Sequence, residues 1–215
     1  MMDYSIKDPQ DNSIPVRNIY CVGRNYRAHA KELNNLVPDE PFFFQKSTPA
    51  LNTGSIIKLP KNRIIQYELE IVVLVGTMTE SVNPGEELNL VSGLALGLDL
   101  TDRNFQTTLK EKRLPWLFSK SFSGAAVVTK FIDPHSSLWN QDFWFKINGQ
   151  IVQRGNRNQM LYSIPELLRY LLQHIPVLKG DLIFTGTPEG VGNLAKGDRC
   201  KIGIGEKTLA VYKVQ

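Results

Sequence analysis

Three carboxylates raise the first chemical question in this chain. Glu68 and Glu70 stand one residue apart in "QYELEIVVLVG" (66 to 76), at the mouth of the uncharged run from Ile71 to Gly76. Alternate residues of a strand project to one face, so this spacing sets the two carboxylates side by side. Like charges held that close repel, and burial strengthens the repulsion. Solvent, basic side chains or a metal ion could compensate it; read alone, the stretch fits two solvated glutamates on an exposed strand equally well. Asp99 shifts the balance, because it ends a second apolar run, "LVSGLALGLDL" (90 to 100). Three acidic oxygen donors on strands that look buried suit a hard cation, Mg²⁺ or Mn²⁺, with water or substrate completing its shell. No histidine or cysteine lies near either stretch, so zinc is a poor match.

Other residues could serve such a centre. His29 and Glu32 lie three apart in the helix-like "RNYRAHAKELN" (24 to 34), hence on one face. A carboxylate beside an imidazole fixes its tautomer and supports it as a general base, although an exposed helix pair has the same spacing. Lys120 stands in "LFSKSFSG" between Phe118 and Phe122. It either snorkels to the surface or points into a cleft to meet negative charge. "TGTPEGVG" (185 to 192) could cradle a carboxylate with backbone N–H groups, or form a tight turn. It lacks the spacing of a phosphate loop, which disfavours nucleotide binding.

These residues need strands to position them. Strand patterns occupy 17 to 23, 40 to 46, 55 to 60, the two apolar runs, 179 to 192 and 196 to 214. Asn148-Gly149 marks a hairpin within 142 to 155. A helix is expected over 103 to 112, capped by Thr101 or Asp102. The clearest helix is 163 to 175, with a Ser163–Glu166 capping box and leucines 167, 168, 171 and 172 on one face. Residues 1 to 16 read as a polar amino-terminal arm. Neither a repeat nor a linker divides residues 17 to 215, so one strand-rich α+β domain is expected.

Composition narrows the function classes. With 42% hydrophobic and 21% charged residues the chain has the profile of a folded globular protein, not a disordered one. The net charge of +4 suits a small anionic ligand, and the densest charged patch, "LKEKRLPW" (109 to 116), mixes signs without interleaved aromatics. A nucleic-acid partner is therefore not expected. Cys21 and Cys200 form no CxxC pair. There is no secretory-type segment and no apolar run of the ~20 residues a membrane helix needs, so no membrane role and a cytoplasmic location are expected.

Several segments in order resemble the fumarylacetoacetate hydrolase superfamily: "GRNYRAHAKEL", "FFFQKSTPA", "YELEIVVLVG", "GLALGLDLTDRNFQ", "LPWLFSKSF", "INGQIVQRGN", "MLYSIPELLRYLLQ" and "GDLIFTGTPEGVG". They span roughly residues 17 to 205, and the chain is most similar to the small single-domain acylpyruvate hydrolase and oxaloacetate decarboxylase type. The resemblance implies a mixed β-sandwich roll with a few short helices, a homodimer, and Mg²⁺ or Mn²⁺ on Glu68, Glu70 and Asp99. It implies that His29 and Glu32 sit on a mobile lid, that Lys120 supports charge formed during reaction, and that Lys46, Arg103, Gln106 and Thr187 meet the substrate. Where the small members commonly carry "TARD", this chain has "TDRN", so Asp102 and Asn104 depart from the pattern at the pocket rim. The implied activity is metal-dependent C–C cleavage of a small 2-oxo acid, by acylpyruvate hydrolysis or oxaloacetate decarboxylation. Its rivals are an isomerase or tautomerase of 2-hydroxy-dienoates or oxaloacetate enol, and a non-catalytic metal-binding protein.

Overall fold

The two apolar runs fold as antiparallel neighbours. The computed structural model describes residues 4–33 and 36–215, and in it Leu69–Val75 pairs with Val91–Asp99, with Glu70 opposite Gly97. Every residue of Leu69–Val75 is buried, which explains a continuous apolar run in place of alternation. The pair forms the middle of a seven-stranded mixed sheet. On one side of it lie Leu182–Phe184, Ile19–Gly23 and Phe42–Lys46; on the other lie Ala126–Val128 and Leu51–Asn52. A five-stranded sheet runs in the order Gln150–Gly155, Phe143–Ile147, Arg199–Ile204, Lys207–Val214, Ile56–Ile57. Side chains such as Ile71, Phe143, Phe145, Phe184 and Ile202 belong to one continuous core. Each fully buried aliphatic side chain there contributes about 1.5–3 kcal/mol relative to an exposed one. The result is the expected α+β fold, a curled mixed sheet with a few short helices.

Among the described residues four α-helices decorate it: α1 (Arg27–Glu32), α2 (Arg103–Glu111), α3 (Leu117–Lys120) and α4 (Ile164–Leu172). Asp102 caps α2, its Oδ1 accepting from Phe105 N at 3.1 Å, and the Ser163–Glu166 capping box opens α4. Leu167, Leu168 and Leu171 of α4 are buried. In the expected hairpin Asn148 and Gly149 adopt φ of 50° and 90°, the left-handed pair a tight two-residue turn requires.

Three details differ from the sequence reading. The amino-terminal stretch pairs Ser5–Lys7 with Ser13–Pro15 and delivers Ile6, Ile14 and Val16 to the core. The Asp8 carboxylate closes that turn by accepting from Gln10 N and Asn12 N, a local bond that hydrophobic pattern does not report. Helix α1 is only six residues long, and Asn34, the last residue assigned to it, lies outside the described residues. The strand expected over 66 to 76 is interrupted at Glu68, between Ile65–Tyr67 and Leu69–Val75. Ile65–Tyr67 leaves the main sheet there and pairs with Thr101–Asp102 and Gly192–Asn193.

Candidate metal centre and active site

That interruption builds the floor of the site. Glu68, at the break, accepts the Asp99 N–H on its carbonyl at 2.8 Å, while Leu69 N donates to Gln153 Oε1 at 2.9 Å. One carboxylate oxygen from each of Glu68, Glu70 and Asp99 lies within 4.8 Å of the others, and all three residues are buried. Lys120 Nζ stands 2.7 Å from Glu68 Oε2 and 2.7 Å from Asp99 Oδ2. Lys46 Nζ lies 2.5 Å from Asp99 Oδ1, and the Arg103 guanidinium donates to Glu68 Oε1. Glu70 differs: its Oε2 accepts only the Gly186 N–H, at 2.7 Å. Basic side chains therefore compensate Glu68 and Asp99 directly and leave Glu70 without a cationic partner.

The electrostatics follow from this division. Burial alone would raise the Glu68 carboxyl, but Lys120 and Arg103 outweigh it and hold Glu68 well below the usual carboxylate range. Burial, reinforced by Asp99 and Glu68, pushes Glu70 far above that range. Burial lowers Lys120, yet Asp99 and Glu68 more than offset it, so the ammonium stays charged at neutral pH. Asp99 has an ammonium against each carboxylate oxygen, Lys46 at Oδ1 and Lys120 at Oδ2. An uncompensated buried carboxylate, Glu70, beside two further carboxylates in an all-oxygen donor set fits a hard divalent cation, whose charge reverses the penalty on Glu70.

The opposite wall comes from α1 and the loop at 185 to 192. His29 Nδ1 lies 3.2 Å from Glu32 Oε2, and Glu32 Oε1 accepts the Gly190 N–H at 3.0 Å. The loop does cradle carboxylates with its backbone N–H groups, and they are the chain's own, Glu70 and Glu32. Gly186 is required here. Its φ is +99°, and a Cβ would stand 2.7 Å from the Cβ of Asn25. Asn25, fully buried, ties three segments together by donating to Tyr162 O and Thr185 O and accepting from Tyr162 N.

Most of the expected site residues gather at one small cleft. His29, Glu68, Glu70, Arg103, Gln106, Lys120 and Thr187 line it, and its free volume is about 30 Å³. Asp99 and Lys46 are packed beneath, and Glu32 lies behind His29. Lys46, matched by resemblance to a pocket position, instead donates to Leu100 O and Lys120 O under the floor. Arg103 is also occupied, donating to Gln66, Gln106 and Glu68. Seven lining residues escaped the sequence reading, among them Arg24, Phe44, Lys110 and Trp116. Lys110 was readable in principle, since Arg103, Gln106 and Lys110 follow the i, i+3, i+7 face of α2. The mixed charges of "LKEKRLPW" concealed it.

Known proteins share this architecture. The chain is 40% identical over 193 residues to the mitochondrial oxaloacetate decarboxylase of Dictyostelium discoideum, covering 87% of this chain and 88% of that one. It is 37% identical over 207 residues to the mitochondrial oxaloacetate tautomerase of Homo sapiens, covering 93% and 92%. Fumarylpyruvate hydrolase from Pseudomonas aeruginosa, solved in complex with Mn²⁺ and pyruvate, superposes with a TM-score of 0.91 at 30% identity over 100% of this chain and 96% of that one. The expected cytoplasmic location is corrected by these relatives, since the tautomerases of Homo sapiens, Bos taurus and Saccharomyces cerevisiae are mitochondrial. Lack of a secretory segment and of an apolar span, on which that expectation rested, does not separate cytosol from mitochondrion. Among the described residues no helix is long and apolar enough to cross a membrane. The fumarylacetoacetate hydrolase C-terminal profile matches residues 18–214, and the chain belongs to the fumarylacetoacetate hydrolase family.

Proposed function

We propose that this protein is a divalent-metal-dependent enzyme acting on the C–C bonds of a small anionic 2-oxo acid, by oxaloacetate decarboxylation or acylpyruvate hydrolysis. The observation that carries the reading is the convergence of Glu68, Glu70 and Asp99 at a cleft whose other wall holds a His29–Glu32 pair. The names of the oxaloacetate-acting relatives support it, as does the Mn²⁺–pyruvate complex of the Pseudomonas hydrolase. Glu68, Glu70 and Asp99 would hold Mg²⁺ or Mn²⁺, which when bound supplies Lewis-acid stabilisation of negative charge developing on a keto oxygen.

The chain's own groups do the rest. Lys120 fixes two of the carboxylates and adds permanent positive charge beside the reacting atoms. Thr187 Oγ1 accepts from Gln153 and Gln106 Oε1 accepts from Arg103, which leaves the Thr187 hydroxyl hydrogen and the Gln106 amide N–H groups free to orient a substrate. Because His29 turns Nδ1 to Glu32, Nε2 is the working nitrogen. As a base it takes a proton from the water that attacks the distal ketone of an acylpyruvate, and pyruvate leaves as its enolate. Decarboxylation of oxaloacetate reaches the same enolate without that water. A cleft of about 30 Å³ holds little more than a water molecule, so α1 must swing away to admit substrate, breaking the Glu32–Gly190 bond.

A second reading, keto–enol tautomerisation of oxaloacetate, is favoured by the tautomerase relatives and needs only the proton transfer at His29. The functional unit in the proposal is a homodimer, for which light scattering should return twice the chain mass of 24.3 kDa. The deciding experiment assays oxaloacetate and acetylpyruvate with Mg²⁺ and with excess chelator. Metal-dependent pyruvate release above the metal-only background supports cleavage. Metal-dependent keto–enol conversion without pyruvate release selects the tautomerase, and absence of both overturns the proposal.

A further inference from the structure

Two cations at the cleft have no role in the scheme above. Arg24 and Lys110 line the same space as His29 and Glu70, and both are partly buried. Among the described residues no carboxylate lies within 4.0 Å of either charge. On the floor, Lys46, Lys120 and Arg103 already face the carboxylates of Glu68 and Asp99, and the proposed ion would serve Glu70. Arg24 and Lys110 are thus surplus positive charge, and a divalent ion on the floor would add to the surplus.

Their placement is costly, and for Lys110 an anion would relieve the cost. Lys110 is destabilised as a cation by burial and then by Arg103 and Arg24, which lowers its pKa from the ordinary lysine value. Its ammonium rests 4.8 Å from the centroid of the Trp116 ring, a contact that positions it but does not neutralise it. Arg24 holds φ at +60°, the left-handed region that non-glycine residues rarely occupy. The three hydrogen bonds of the adjacent Asn25 clamp the backbone in that state. Strain of this sort at a site is retained when the surroundings over-determine it. Arg103 and Lys120, by contrast, already donate to carboxylate and amide oxygens of the protein.

Building on the 2-oxo acid reading, we infer that Arg24 and Lys110 form a receptor for a second carboxylate, at the end of the substrate remote from its 2-oxo group. The preferred substrate is then a 2-oxo dicarboxylate of oxaloacetate type rather than a monocarboxylate carrying an uncharged acyl group. Guanidinium supplies paired N–H donors for that carboxylate and the ammonium of Lys110 a point charge beside it.

The test uses the Mg²⁺-loaded enzyme and the variants Lys110→Gln, Lys110→Arg and Arg24→Asn, asparagine being tolerant of the left-handed backbone. The readout is the ratio of kcat/KM for oxaloacetate to that for acetylpyruvate. Lys110→Gln and Arg24→Asn should each lower the ratio at least tenfold, mainly through KM for oxaloacetate, and Lys110→Arg should restore most of it. An unchanged ratio overturns the assignment. A parallel titration follows the fluorescence of Trp116, the one tryptophan of three that is not buried, with malate and with lactate. Tighter binding of malate than of lactate, lost in Lys110→Gln, supports the receptor; equal binding of both by wild type counts against it. A wild type that turns over neither substrate while still preferring malate defeats the catalytic reading and leaves the receptor standing.

Discussion

Glu68 and Glu70 share a cleft but not an environment, and the difference predicts how substitutions behave. Glu68 has Lys120 and Arg103 against it, so neutralising it takes a carboxylate from a buried and a partly buried cation. Glu70 faces like charges and one backbone N–H. Glu70→Gln keeps the shape and the Gly186 bond while removing the charge that burial disfavours. Without metal its melting temperature should equal or exceed that of wild type, whereas Glu68→Gln should lower it, by an amount corresponding to about 1–3 kcal/mol. Both changes should abolish metal-dependent turnover, and undiminished activity in either removes that residue from the ligand set. His29→Ala is the complementary case. It should reduce acetylpyruvate hydrolysis at least about a hundredfold, the usual scale for a general base. Mg²⁺ affinity measured by calorimetry should be retained, because His29 is no ligand in the proposed set; a parallel loss of affinity would break the assignment.

At the scale of elements, the site depends on contacts between segments distant in sequence. Gln153, on the second strand of the hairpin, receives the orphaned Leu69 N–H at the Glu68 break and donates to Thr187 Oγ1 and Pro188 O. One buried amide thus locks the glutamate strand to the loop that carries Gly186. Gln153→Leu leaves those groups unsatisfied and should cost about 1–3 kcal/mol, or several degrees in melting temperature. It should also weaken Mg²⁺ binding although Gln153 touches no proposed ligand. Unaltered metal affinity would mean that the loop holds its position by other means. This is where sequence reading stops. The two apolar runs, the Asn148-Gly149 turn and the α4 capping box were legible because each is signalled within a few residues. Glu68, Glu70 and Asp99 were legible because a charge at the end of an apolar run is conspicuous. Gln153, Asn25 and the surplus cations Arg24 and Lys110 were not, since their meaning lies in partners or in missing partners across the fold. The amino-terminal hairpin failed for the opposite reason, its strands being three residues each and too short to show a period.

For the whole molecule, ion binding and folding should be one linked equilibrium. Glu70 and Asp99 come from adjacent central strands, and Glu68, at the break before the first, is joined to Asp99 through their backbones. Unfolding separates them, so the unfolded chain has no site and the ion binds the native state alone. Free Mg²⁺ at a hundred times its dissociation constant then stabilises the fold by about 2.7 kcal/mol. For a chain of 215 residues that corresponds to a rise in melting temperature of roughly 5–10 °C. The gain comes at the place where the apo protein is least satisfied, around Glu70, so it should vanish in Glu70→Gln even though that variant is no less stable without metal. Scanning calorimetry of both proteins with increasing Mg²⁺ separates this from a general salt effect, which would raise both curves together. A wild-type curve that stays flat across millimolar Mg²⁺ and Mn²⁺ would leave the buried carboxylates to Lys46, Lys120 and Arg103 alone and would withdraw the ion from the centre of the fold.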